Sequence, residues 1–474
     1  MNFDLDSETR RRLGYHLVDQ IDGFFASLPD RKVQLPTEQR TFGALQNPLP
    51  EAGEDPGKVL DTIFSDMVEK GFHVPSANYF GLMNPTPTYI GVMAEALVAA
   101  LNPQLATVKR SQLASKIEQE TVRWVGERVG WSGDFSGTFT TGGNEANFSG
   151  LALAIAAKFP KAIEEGFCSI GAQPMVYASE EAHHSIDKSA GLLGVGRKAL
   201  RRIAVTESIQ MDGGALDRAI AEDTAADKKP FCVVATAGTT NTGAVDDMQA
   251  LAEICRRHNL WLHVDGAYGG SAVFSDKHRD LVRGIELADS IAIDPHKWLA
   301  MPLAAGVILT RHPEMLERAF AVAAPYMPKA AEAKGVDNSR ISTQWTRRMN
   351  SLKLWLTLRV HGRRAYEEHI DRQIRLAKGF ADWINSSQEF ELAAPQALPI
   401  VAFRLKKFAE KFKDLSEAHG QIVEDVTGDG QRWISETRVK GESVLRMMVI
   451  SYLTEEKHLV SLQQALTKAA EKVA

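Results

Sequence analysis

The sequence predicts an α/β protein built on a mostly parallel sheet, and three observations carry that expectation. Between residues 137 and 310, short apolar runs alternate with helical patterns. Thr141, Ser179, Thr236, Asp265 and Lys297 all fall at the ends of those runs, the edge where parallel sheets bind ligands. From about residue 365 the pattern changes to long helices around separate strands, which reads as a smaller α+β domain.

Taken in order, residues 7 to 30 space Leu13, Leu17, Ile21, Phe24, Phe25 and Leu28 at three and four, the period of an amphipathic helix. A Pro/Gly-rich connector runs from Leu35 to Gly57. Helical patterns follow from Val59 to Met67, Ile90 to Leu101 and Leu113 to Val129. Between the first two, the proline- and aromatic-rich stretch Phe72–Tyr89 suits a binding surface better than a linker. Strand candidates are Gly137–Thr140, Met175–Ala178, Phe231–Thr236, Leu260–Val264, Ser290–Ile293 and Gly306–Leu309. Helices are expected between them at Glu145–Lys158, Ile186–Leu193, Gly214–Glu222 and Met248–Asn259. In the C-terminal part, helices Tyr366–Asn385 and Thr454–Val473 flank strands at Glu391–Leu392, Ile400–Arg404 and Val444–Ile450. This divides the chain into an N-terminal helical segment (1–95), a large domain (96–365) and a small one (366–474).

Composition narrows the functional classes. A net charge of −5 over 474 residues offers no surface for nucleic acid and no polybasic membrane patch. The three cysteines, Cys168, Cys232 and Cys255, have no metal-ligand spacing and read as reduced thiols. The acidic N-terminus lacks the apolar core of a signal peptide, so a cytoplasmic protein is expected.

Chemistry concentrates around Lys297. It follows an apolar strand and lies in Asp294-Pro295-His296-Lys297-Trp298, an unsuitable setting for a solvent charge. An amine there can form a Schiff base with a carbonyl compound or pyridoxal phosphate. Thr140-Thr141-Gly142-Gly143-Asn144-Glu145 runs from a strand through glycines into a helix, whose N-terminus favours a phosphate. In His263-Val264-Asp265-Gly266-Ala267, Asp265 can hold a pyridine nitrogen protonated, and Ala267 leaves room for a flat ring. His183 or His184 could stack on that ring and handle protons. Thr236 ends a strand and offers a hydroxyl. Each motif taken singly also has an ordinary structural explanation; their number on one edge argues otherwise.

Together with Tyr79-Phe80-Gly81, Arg347-Arg348-Met349-Asn350-Ser351 and Val444-Leu445-Arg446, these motifs resemble the group II pyridoxal-phosphate-dependent amino-acid decarboxylases over nearly the whole chain. The resemblance implies an aspartate-aminotransferase-like fold, fold type I, with a seven-stranded sheet. It implies that Lys297 is the Schiff-base lysine and Asp265 the partner of the pyridine nitrogen. His183 would be the stacking histidine, Ala267 the residue beneath the ring and Thr236 the strand-end threonine. Gly142, Gly143 and Asn144 would cradle the phosphate, with Asp294 and His296 on the same side. Tyr326 matches the tyrosine of a mobile loop that returns a proton to the substrate. Tyr79, Phe80 and Thr346 are expected in the substrate pocket, with Thr346 replacing a common glycine and Asp294 a common asparagine. Homodimers with sites at the subunit interface are expected, the N-terminal segment wrapping the partner.

The expected reaction is decarboxylation of an L-amino acid to its amine. Ala77–Tyr89 contains no lysine or arginine, which favours an aromatic or uncharged substrate over an acidic one. The alternatives are an acidic-amino-acid decarboxylase, an aldehyde synthase or carbon–carbon lyase on the same scaffold, and a non-catalytic scaffold subunit.

Overall fold

The computed structural model describes residues 3–35, 48–322, 336–406 and 415–473. Four helices open the chain: α1 (Ser7–Ser27), α2 (Pro56–Lys70), α3 (Tyr89–Leu101) and α4 (Gln112–Val129). Their ends obey local chemistry. Asp6 and Asp55 cap α1 and α2 by accepting from the Thr9 and Lys58 N–H groups, and Asn102 and Gly130 close α3 and α4 in the left-handed conformation.

The central region follows as β1 (Ser136–Thr140), α5 (Gly143–Lys158), α6 (Ala162–Glu165), β2 (Pro174–Ser179), α7 (Ser185–Leu192), β3 (Leu200–Ile203), α8 (Gly213–Ala225), β4 (Lys229–Thr236), α9 (Met248–His258), β5 (Trp261–Asp265), β6 (Ser290–Ile293), β7 (Gly306–Thr310) and α10 (Met315–Phe320). The strands form a seven-stranded sheet in the order β1-β7-β6-β5-β4-β2-β3. Its pairings are parallel except those of β7, which runs against both neighbours. The carboxyl ends of β1, β4, β5 and β6 therefore meet at one edge. Helices cover the sheet, so β5 and β6 are buried throughout and read as continuous apolar runs. Phe139, Tyr177, Phe231, Val264, Ile291 and Trp298 belong to one core.

The chain then passes along α11 (Ser351–Ser386), which breaks at Gly362 with φ 73°. Beyond it lie β8 (Phe390–Leu392), β9 (Ile400–Leu405), α12 (Ser416–Thr427), β10 (Ser435–Val439), β11 (Glu442–Met448) and α13 (Glu456–Val473). Here four antiparallel strands, ordered β10-β11-β9-β8, carry a second core containing Phe380, Phe390, Phe403 and Leu445. This is the α/β, fold-type-I architecture. Among the described residues, no helix is long and apolar enough to cross a membrane.

Three expectations needed adjustment. β3 reads Leu-Arg-Arg-Ile and was not anticipated; it is an edge strand whose Arg201 pairs with Glu222 and Asp223. β10 is polar for the same reason. The helix expected from Tyr366 is preceded by a further helical stretch from Ser351, the two meeting at the break at Gly362.

Candidate active site

At the shared carboxyl edge of the sheet lies a cavity of about 360 Å³. Its wall includes Gly142, Gly143, Asn144, His183, Thr236, Asp265, Ala267, Asp294, His296 and Lys297, residues drawn from five segments of the chain. The fold thus gathers ten of the expected site residues around one space.

Lys297 projects from the turn after β6. Its Nζ is 3.2 Å from Asp294 Oδ2, and Asp294 is itself buried. The turn is held from behind: Trp298 packs against Tyr268, and buried Lys353 donates to Ala304 O at 2.6 Å while pairing with Glu95. Asp265, the last residue of β5, accepts from Asn147 Nδ2 at 2.9 Å and from the Ala267 N–H at 3.2 Å. Thr236, in register with Asp265 on β4, has its N–H held by Asp246 at 2.8 Å. Burial pushes Asp246 up to about 6.

The glycine turn does two jobs. The first intrahelical bond of α5 is Ala146 N to Gly142 O, so the N–H groups before it face the cavity end without helical partners. The glycines also permit close packing. A Cβ on Gly143 would lie 2.7 Å from Asp294 Oδ2, and one on Gly142 would lie 3.0 Å from His296 Cε1. Glu145 reaches back from the first turn to the N–H and hydroxyl of Thr141, and also accepts from Thr343 and Gln344. Burial alone would raise this carboxyl, but hydrogen bonds led by Thr343 and Thr141 hold it below its ordinary value.

The two histidines separate clearly. His183 lines the cavity and places Nδ1 2.9 Å from Ser185 Oγ. His184 is almost fully exposed beside Asp187. Burial lowers His183 from its ordinary value, opposed by nearby Asp265. His296 is also lowered by burial, and its Nδ1 contacts Ala305 O at 2.6 Å.

The three expected substrate-pocket residues do not reach this cavity within the chain. Phe80 is fully buried in the second core, fixed by backbone bonds to Trp433 and Met448. Tyr79 stacks on Trp433 at 5.6 Å, and Thr346 is exposed. Within the single chain, backbone pairing with the small sheet holds Phe80 away from this cavity. Met83 and Leu303 line the cavity in their place. Tyr326 lies outside the described residues. Sequence reasoning also passed over His263, which stands inside a quoted motif, and Asn147 and Ser185, which lie within two residues of Glu145 and His184. Asn147 was recognisable as one helical turn beyond Gly143.

Known proteins can now be set beside this geometry. A family model described as the pyridoxal-dependent decarboxylase conserved domain matches residues 41–406. The chain belongs to the pyridoxal-dependent decarboxylases. It is 30% identical over 476 residues to an aromatic-L-amino-acid decarboxylase of Bacillus atrophaeus, covering 100% of this chain and 98% of that one. A phenylacetaldehyde synthase of Arabidopsis thaliana is 28% identical, covering 96% and 94%. The crystal structure of Oryza sativa TDC with PLP and tryptamine superposes with TM-score 0.92 at 26% identity, covering 100% and 99%.

As a member of this family, the enzyme is an amino-acid decarboxylase that uses pyridoxal 5'-phosphate. The site's chemistry fits that cofactor. Thr236 Oγ1 and Asp294 Oδ1 are buried with no hydrogen-bond partner among the described residues, as expected of groups awaiting a polar ligand. An amine, a carboxylate held by an amide and an open helix N-terminus face one another across a space of cofactor size.

Proposed function

We propose that this enzyme decarboxylates an aromatic or otherwise uncharged L-amino acid to the corresponding amine. The observation that carries the substrate class is the absence of a spare cation. Among the described residues lining the cavity, Lys297 is the one lysine or arginine, and it faces Asp294. Arg347 and Arg348, the obvious alternatives for a side-chain carboxylate, are committed elsewhere. Arg347 is buried against Glu118, and Arg348 pairs with Glu95. Met83, Leu303 and Tyr268 instead offer apolar surface.

Within this reading each residue has a task. Lys297 would hold the cofactor through its amine. When bound, pyridoxal phosphate supplies an electron sink for the pair left behind as carbon dioxide departs. Asp265 would face the ring nitrogen, where its negative charge would favour the protonated ring. His183 would cover one face of the bound ring and Ala267 the other, and Thr236 would offer its unpaired hydroxyl. Gly142, Gly143, Asn144 and His296 form the phosphate end. Asp294 is better suited to balance the Lys297 ammonium than to touch a phosphate of like charge. Tyr326 or His183 returns a proton to the substrate's Cα.

The same reading makes the active unit a cytoplasmic homodimer, with residues 1–95 as the wrapping segment beside large (96–365) and small (366–474) domains. Exposed apolar side chains on the first helices support this: Ile63 and Met67 on α2 are 42% and 67% exposed, and Leu101 on α3 is 74% exposed.

Product analysis over a panel of L-amino acids tests the proposal. Amine from aromatic substrates, and none from glutamate, aspartate or cysteine sulfinate, is the expected result. Preferential turnover of an acidic amino acid would overturn the substrate class. Aldehyde with hydrogen peroxide would transfer the enzyme to the synthase branch represented by the Arabidopsis relative.

A further inference from the structure

His263 has no role in the reading above, yet the fold is shaped around it. It sits on β5 two residues before Asp265, so both side chains project from the same face of the sheet. The imidazole is fully buried, and a Cβ on Gly150 of α5 would lie 2.3 Å from its Cε1. A glycine in the middle of a helix, an unfavourable choice in itself, admits the ring.

The contacts form a continuous path. Trp261 Nε1 donates to Ser290 Oγ at 2.9 Å, and Ser290 Oγ lies 2.9 Å from His263 Nδ1. His263 Nε2 lies 3.0 Å from Asn147 Oδ1. Asn147 Nδ2 then donates to both Asp265 Oδ2 and Ser185 Oγ at 2.9 Å. Ser185 Oγ is 2.9 Å from His183 Nδ1, which also accepts from the Ser185 N–H.

The two ends of this path give it a direction. An indole N–H can only donate, and an ionised carboxylate can only accept. With Ser290 Oγ accepting from Trp261, its hydroxyl hydrogen is available to His263 Nδ1. Neutral His263 then carries its proton on Nε2 and donates to Asn147 Oδ1. That bond keeps the amide NH2 towards Asp265 and Ser185. The opposite setting would turn the Asn147 carbonyl onto the Asp265 carboxylate, placing two acceptors in contact. Ser185 passes its hydroxyl hydrogen to His183 Nδ1, so the His183 proton stays on Nε2.

We propose that His263 is a positioning residue in a one-way hydrogen-bond relay running from Trp261 through Ser290 and Asn147. The relay holds Asp265 as an acceptor towards the cofactor's ring nitrogen and sets the tautomer of His183. Burial keeps His263 neutral, pushing it down to about 4, so its tautomer is stable through the neutral range. The inference rests on the assignment of Asp265 as partner of the ring nitrogen.

The test is nitrogen-15 NMR of ring-labelled pyridoxal phosphate in the holoenzyme, paired with the dissociation constant for its rebinding to apoenzyme. Ser290→Ala and His263→Phe should shift the ring-nitrogen signal towards the unprotonated position. They should weaken binding about tenfold, the scale of one compromised buried hydrogen bond. His263→Gln, whose amide can still donate to Asn147, should restore the native signal. A merely structural role would lower thermal stability without moving that signal. Ser290→Ala removes a single oxygen and keeps the test available should the phenylalanine variant fold poorly. If both relay variants leave the signal at its native position while Asp265→Asn moves it, the relay is refuted and Asp265 retains its assignment. If Asp265→Asn leaves it unmoved as well, the assignment of Asp265 fails and the relay with it.

Discussion

Lys297 and Asp294 are 3.2 Å apart at the end of β6, and this pair defines the residue scale of the mechanism. The buried carboxylate holds the Lys297 amine at the cavity, where it would bind the cofactor and yield it to a substrate amine. Lys297→Ala should abolish amine formation, down to the background without protein, while circular dichroism stays native; retained turnover would remove Lys297 from the mechanism. Buried His263 and half-buried His369 add a pH dependence of stability. His263 and His369 are pushed by burial from 6.5 to about 4. The unfolded chain takes up these protons near 6.5, whereas the native protein resists until about 4. Their contribution is therefore complete above the higher value and lost as pH falls through the window, by roughly 3 kcal/mol for each histidine. Denaturant titrations across that window should show the decline, and His263→Gln should make it shallower. A slope unchanged by that substitution would contradict the burial argument for His263.

At the scale of elements, α5 links the phosphate end of the site to the relay. Its N-terminus opens the cavity, Asn147 holds Asp265 one turn later, and Gly150 admits His263. Gly150→Ala tests this arrangement. Alanine favours a helix by about 1 kcal/mol, but here its methyl would displace a buried ring. A net destabilisation of about 1–3 kcal/mol is expected, with weaker pyridoxal phosphate binding; a more stable protein with native cofactor affinity would show that the ring yields freely.

Strands buried on both faces are among the elements most legible in the sequence. Phe231–Thr236 and Ser290–Ile293 announce themselves by apolar composition, and their ends carried Thr236 and Lys297 to the right edge. β3 and β10 did not, because edge strands need only half of their side chains to be apolar and fill the rest with charge. Tyr79 and Phe80 lie outside the cavity of the single chain, held by the small sheet. Aromatic composition announces burial, but their partner, Trp433, lies more than 350 positions away in sequence, and no local pattern encodes that pairing. His263 was visible inside a motif and Asn147 two residues beyond one. Their partnership across the α5–β5 interface was not, since it depends on tertiary contact.

At the scale of the whole molecule, the proposed dimer explains an otherwise uncovered apolar surface. Ile63 and Met67 project from α2 without burial in the chain's own cores. The double substitution Ile63→Glu and Met67→Glu should shift sedimentation from dimer to monomer and leave secondary structure intact. A double variant that sediments as the native protein does would place the interface elsewhere. We propose that one sheet edge, one amine and a pocket with no spare cation among its described residues make an aromatic-amino-acid decarboxylase. The most direct test is to incubate purified holoenzyme with L-tryptophan, L-tyrosine and L-phenylalanine and to quantify carbon dioxide, amine, aldehyde and hydrogen peroxide together. Carbon dioxide and amine in equal amounts from at least one of the three, with no peroxide, is the result predicted. Aldehyde and peroxide in place of amine, or no release of carbon dioxide from any of them, would contradict it.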